Sequence, residues 1–178
     1  MIQKKIIKRL AFLFLFSLVL NSCDQKKSLK TKIDKAIISK NVNIFLENWH
    51  LAASEANFEN YFSKMDSVSI FIGTDASEIW TKDAFITYSK PYFDKGKAWD
   101  FKTLERNIYC NNKGDFVWFD ELLDTNRGSF RGSGVVEKKE GKWTIKHYVL
   151  SMPIPNDDMK EVVKVTKEKD SIFRTKFN

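Results

Sequence analysis

The sequence predicts one α+β domain in which helices gather on one side of a curved antiparallel sheet. Three observations carry this. Apolar residues recur at helical spacing between residues 38 and 62. Four strand-like segments joined by short turns fill the stretch from 98 to 151. The 178 residues, 43% hydrophobic and 14% aromatic, suffice for one core and exclude a wholly disordered chain. Two cysteines exclude a disulfide-built scaffold, and seven scattered glycines exclude a Gly-rich low-complexity chain.

Residues 1–22 come first and stand apart from the domain. Lys4, Lys5, Lys8 and Arg9 precede the apolar run Leu10–Leu20, with no acidic residue among them. Eleven residues are too few to span a bilayer, which needs about 20. The pattern is that of a signal peptide, a basic n-region followed by an apolar h-region. Its close, Leu20-Asn21-Ser22-Cys23, resembles the lipobox of bacterial lipoproteins. That resemblance implies diacylglycerol transfer to Cys23, cleavage before it, and acylation of the new amino terminus, palmitate being such a chain. Several acyl chains give stable anchoring where one is marginal. Removal of four cations and no anion takes the net charge from +7 to +3. The remainder does not indicate nucleic acid as a partner. Residues 23–32 are polar and Lys-rich and read as a tether from membrane to domain.

The domain is expected over 33–155. Ile38, Val42, Phe45, Trp49, Ala52 and Ala56 form one apolar stripe of a long first helix. A break near Ser54-Glu55 precedes a short helix carrying Phe58, Tyr61 and Phe62. Ser67–Ile72 alternates as a strand and stops at Gly73. Thr81 caps a third helix with Phe85, Tyr88 and Tyr92 on one face, which Pro91 should end or kink. The strands Ala98–Cys110, Phe116–Thr125, Ser129–Lys139 and Lys142–Ser151 follow. Asn111–Asp115, Asn126-Arg127-Gly128 and Glu140-Gly141 supply the turns, and such short links predict an antiparallel meander. Pro153 and Pro155 end the last strand. Residues 156–178 form a charged C-terminal tail, mobile or helical, rather than a second domain.

The order and several local segments resemble the SnoaL-like branch of the nuclear transport factor 2-like superfamily. The matching stretches are Phe71–Asp75, Glu78–Thr81, Val117–Glu121, Arg131–Val135 and Gly141–Tyr148, with Leu150–Pro153 closing the domain. The resemblance implies a cone, a strongly bent sheet wrapped around three N-terminal helices and enclosing a cavity. It also implies a range of functions, from isomerases, cyclases and dehydratases to non-catalytic modules, so the fold alone leaves the function open.

The candidate pocket residues are Trp49, Tyr61, Trp80, Trp99, Trp118, Asp120, Glu121 and His147. The aromatic rings either line the cavity or fill it. His147 shares a predicted strand face with Trp143, Ile145, Val149 and Ser151, where it is either a general base or a packed histidine. Asp120 and Glu121 are adjacent and point to opposite faces, so one alone can enter a cavity; the competing reading makes either a partner of Arg131. His50 lies at the helix flank, one residue off the stripe. Cys110 reads as a buried structural thiol. Two histidines without carboxylate spacing give no metal motif, no phosphate-binding Gly loop is present, and no cofactor is implied.

These readings favour a lipid-anchored module of the bacterial cell envelope, exported and facing the periplasm or exterior, that binds a small organic ligand. No catalytic set is assigned. An enzyme of the isomerase, cyclase or dehydratase type in the same pocket is the first alternative. A protein-interaction module, as a homodimer, is the second.

Overall fold

The structure, a computed structural model, describes residues 34–177. The leader, Cys23 and the tether lie outside the described residues. No helix of the described residues is long and apolar enough to cross a membrane.

Helix α1 (Lys35–Ser54) opens on Asp34, whose Oδ1 accepts from the Ala36 and Ile37 amides at 2.9 and 3.3 Å. The short α2 (Phe58–Ser63) is capped by Asn57, which accepts from the Asn60 amide. Strand β1 (Met65–Ile72) and a brief β2 (Ile79–Thr81) follow. Helix α3 (Lys82–Asp94) starts where expected, with Thr81 Oγ1 accepting from the Ala84 amide. It does not end at Pro91. It continues to Asp94, because a proline this near the C-terminus withdraws one amide from a helix with only three residues still to run.

Strands β3 (Lys102–Cys110), β4 (Phe116–Thr125), β5 (Gly128–Lys139) and β6 (Lys142–Ser151) form the meander, with β3 shorter at its start than the apolar pattern predicted. Helix α4 (Met159–Arg174) ends the chain between two short 3₁₀ turns. The six strands make one curved, unclosed sheet in the order β2-β1-β6-β5-β4-β3. One pairing departs from the antiparallel expectation: β1 runs parallel to β6, with Phe71 opposite Tyr148. The intervening β2, α3 and the β3–β5 meander supply the long connection that such a parallel pairing requires.

The inner sheet face is set by alternation. Val117, Phe119, Glu121 and Leu123 of β4 point inward, as do Phe130, Gly132, Gly134 and Val136 of β5. They meet Val42, Leu46, Trp49, Ala52 and Ala53 of α1, all at most 1% exposed. The buried arc of α1 is wider than the single stripe seen in the sequence, because the sheet bends around the helix and covers its flank. That is why His50, one residue off the stripe, is only 3% exposed.

In β6 the inward set is Ile145, Tyr148 and Leu150, which breaks strict alternation. The ladder shifts register between Val135 and Val136, which pair with His147 and Ile145. The extra residue reverses the facing of everything after it. His147 therefore sits opposite outward-facing Val135, away from the face of Ile145 on which the sequence pattern placed it.

Candidate functional site: an aromatic cavity above a buried carboxylate cluster

Two features lie within the bend of the sheet. The first is a cavity of about 810 Å³. Aromatic rings form much of its wall: Phe71, Trp80, Phe85, Tyr88, Trp99 and Phe101. Several lie nearly parallel. Phe71 stacks on Phe85 at 4.0 Å, Trp80 on Tyr88 at 4.6 Å, and Trp99 lies 26° from the plane of Phe85. Phe130 of β5 and Leu150 of β6 close the opposite side. Charged groups stand around it: Glu78, Lys97, Asp100, Lys102, Asp124 and Arg127. Among the described residues none of these six makes an ion pair within the chain. Gly73 contributes by lacking a side chain, since a Cβ there would collide with the Glu78 carboxylate and come within 2.9 Å of the Trp80 ring.

The second feature is a polar cluster behind that wall. Glu121 is 1% exposed. Its Oε1 accepts from His50 Nε2 at 2.9 Å and from the Tyr148 hydroxyl at 2.7 Å. Its Oε2 accepts from Arg106 Nε at 2.8 Å and Nη2 at 2.7 Å. Arg106 spends its remaining donors on Asn43 Oδ1, Glu47 Oε1 and Thr103 Oγ1, at 2.7 to 2.8 Å. Burial opposes the charge on Glu121, but His50, Arg106 and the Tyr148 hydroxyl together outweigh it and hold the carboxyl at about 2. Glu121 is thus an acceptor only, and His50 Nε2 carries the proton of their bond. Burial, and then the Glu121 charge, push the Tyr148 hydroxyl well above its ordinary value.

The cluster and the cavity are separated by side chains. Phe101 lines the cavity and meets the His50 ring edge-on at 5.7 Å. Neither His50 nor Glu121 is among the lining residues. Both carboxylate oxygens are satisfied, so the cluster is built to hold α1, β3, β4 and β6 together. Among the described residues, no three of His, Cys, Asp or Glu are grouped so as to hold a metal ion.

The SnoaL-like domain family matches residues 42–155, which include the whole sheet and most of the helical layer. The chain belongs to the SnoaL-like domain family. No curated protein matches the sequence. Solved structures confirm the fold. A nuclear transport factor 2-like protein of unknown function from Pseudomonas putida is 13% identical and superposes with a TM-score of 0.57, covering 70% of this chain and 92% of that one. A nuclear transport factor 2-like protein from Cytophaga hutchinsonii is 14% identical with a TM-score of 0.55, covering 68% and 100%. The association domain of the C. elegans calcium/calmodulin-dependent kinase II is 18% identical with a TM-score of 0.56, covering 66% and 98%.

Within this SnoaL-like domain the sequence candidates divide into four groups. Trp80 and Trp99 line the cavity. Trp49 and Tyr61, each 1% exposed, stack on one another at 5.0 Å and fill the core. Glu121 points inward but into the cluster rather than the cavity. Trp118, Asp120 and His147 lie on the outer sheet face, where Trp118 stacks on Tyr109 and Asp120 accepts from Asn107.

Arg131 is not the partner of Glu121. It sits opposite Leu122, and the guanidinium that reaches Glu121 comes from Arg106 on the other neighbouring strand. The sequence held a signal for this. Counting the hairpin back from the Asn111–Asp115 turn pairs Cys110 with Val117 and Arg106 with Glu121. Cys110 is half-buried rather than the buried thiol expected, and among the described residues it has no disulfide partner.

Proposed function

We propose that this chain is a membrane-anchored lipoprotein of the bacterial cell envelope whose SnoaL-like domain binds a small organic ligand in the aromatic cavity. The observation that carries the reading is the division of labour inside the cone. The rings of Trp49, Tyr61 and Tyr148 fill the core, yet about 810 Å³ bounded by Trp80, Phe85, Trp99 and Phe101 stays open. That volume suits a drug-sized molecule, and a wall of near-parallel rings suits a largely apolar one. Charges at Lys97, Lys102 and Arg127, balanced by Glu78, Asp100 and Asp124, offer polar anchoring at its edge.

The cluster supports binding over proton-transfer chemistry. Its histidine and carboxylate are bonded to one another, and a ring stands between them and the cavity. A general base must reach its proton directly or through one water.

The anchor rests on the basic leader, the short apolar run and Cys23. Mass analysis of the chain extracted from membranes tests it, since acylated Cys23 as the first residue is expected. Ligand binding is tested by screening small organic molecules for saturable stabilisation of the full chain. A Trp80→Ala variant that responds as strongly as the wild type would count against the cavity.

A second reading has one observation in its favour. On the outer sheet face Leu104, Tyr109, Phe116 and Trp118 are each 41 to 54% exposed, a concentration of apolar surface suited to pairing with a second copy. The likeness to a kinase association domain is consistent with this. Light scattering tests it: dimers are expected at micromolar concentration and monomers after Trp118→Glu.

A further inference from the structure

One charged group of the cavity is set into its wall rather than standing at the rim. Of the six that line it, Lys97, Asp100, Lys102, Asp124 and Arg127 are exposed, and Glu78 alone is half-buried. A charge in water is screened and holds a ligand weakly, whereas a half-buried one is screened less. Glu78 is therefore the lining charge best able to choose what binds.

The loop between β1 and β2 fixes its position. The Gly73 amide donates to the Glu78 carbonyl and the Glu78 amide to the Asp75 carbonyl, each at 2.9 Å. The Asp75 amide donates to Glu78 Oε2 at 3.2 Å. The carboxylate lies where a side chain on residue 73 would stand, next to the Trp80 ring. Among the described residues its Oε1 has no hydrogen-bond partner. Closing the loop takes one uncharged acceptor, so the negative charge and the second oxygen are surplus to it.

The rings around this carboxylate are aligned. Phe71, Tyr88, Trp80 and Trp99 lie 15, 16, 24 and 26° from the plane of Phe85. Rings so aligned present parallel faces, among which a flat ring stacks without tilting. Trp80 and Tyr88, themselves stacked, also offer π-faces near Glu78, and such faces attract a cation. A carboxylate and aromatic faces together favour a positive nitrogen over an anion. Arg127 is the competing anchor. Burial and the Tyr92 hydroxyl raise the pKa of Tyr88, Glu78 raises it further and Arg127 opposes the rise, so both charges reach the same part of the rim. Arg127 is exposed on the β4–β5 turn, which leaves its charge the more screened of the two.

We propose that the cavity takes a planar aromatic amine, its ring stacked among Trp80, Phe85 and Trp99 and its protonated nitrogen donating to Glu78 Oε1. The inference rests on the reading of the cavity as a ligand site and adds the sign of the ligand's charge.

Titration calorimetry of the full chain with three indoles tests it: tryptamine, which carries a cation, indole-3-propionate, which carries an anion, and uncharged 3-methylindole. Tryptamine should bind about ten-fold tighter than 3-methylindole, and indole-3-propionate more weakly than either. Glu78→Gln keeps an acceptor for the Asp75 amide and removes the charge. It should abolish the preference for tryptamine and leave 3-methylindole within about two-fold of the wild type. The preference is a ratio within one protein, so a loss of folded material does not mimic it. Arg127→Gln should leave the preference in place. A preference that survives Glu78→Gln overturns the proposal. So does tightest binding of indole-3-propionate, which would make Arg127 the anchor. Binding of 3-methylindole with no preference for tryptamine overturns it while the cavity remains a ligand site. Saturable binding of none of the three overturns it as well, and the wider screen of small organic molecules then decides the cavity separately.

Discussion

Gly132 stands directly opposite Glu121 across the β4–β5 ladder, and the space left by its missing side chain is filled by the Tyr148 hydroxyl. A Cβ at residue 132 would collide with that hydroxyl and come within 2.9 Å of Glu121 Oε1. The glycine is required by proximity, because the buried cluster needs its volume. Gly132→Ala is expected to destabilise the fold by about 2 kcal/mol, through overpacking and a displaced hydrogen bond. Thermal unfolding measures this. Gly96→Ala is a poor control because φ there is +68°, so an exposed helical site such as Ser171→Ala serves instead.

Breaking the cluster at its centre should cost more. The Arg106 side chain is 2% exposed and Glu121 accounts for two of its charged contacts. Glu121→Gln removes the buried carboxylate and leaves the guanidinium only the half-exposed Glu47 as a charged partner, which costs about 3 kcal/mol. Denaturant midpoints should fall accordingly, and Arg106→Met combined with Glu121→Leu should recover part of the loss.

Acid should act through the same carboxyl. The folded value of Glu121 is lowered to about 2, below that of an unfolded glutamate. A depressed carboxylate contributes stability above its unfolded value and loses it as pH falls through its folded value. The contribution of Glu121 is therefore complete at neutral pH and is lost between about pH 4.5 and 2. Unfolding free energy measured across that window should drop in the wild type, and less steeply in Glu121→Gln.

The outer-face residues give a contrast. His147→Ala and Asp120→Asn should each change stability by less than about 1 kcal/mol and leave ligand binding unaltered. A large loss of binding in His147→Ala would mean that the residue reaches the cavity, against the facing set by the β5–β6 register shift.

The ends of β4 and β6 were legible because turn residues punctuate them, and the cap at Thr81 because its hydroxyl precedes a helical pattern. The facing of Glu121 away from Asp120 followed from strand alternation alone. His147 was misplaced because a bulge adds one residue that no local pattern announces, and period-two reading then carries the error to the end of the strand. His50 looked peripheral because a stripe on a helical wheel assumes one covering surface, whereas the bent sheet covers two sides of α1. Which rings line space and which fill it was not legible. Trp49 and Trp99 have the same chemistry, and only the packing of Tyr61 and Phe85 around them decides their roles.

The function proposed for the domain depends on whether its aromatic cavity takes a ligand. The most direct measurement is thermal unfolding of the full chain against a set of small organic molecules, run in parallel with Trp80→Ala and Trp118→Ala. Saturable stabilisation is predicted in the wild type and in Trp118→Ala, with affinity about ten-fold weaker in Trp80→Ala, where one stacked ring of the wall is gone. Stabilisation by no compound, or equal stabilisation in all three proteins, would contradict it.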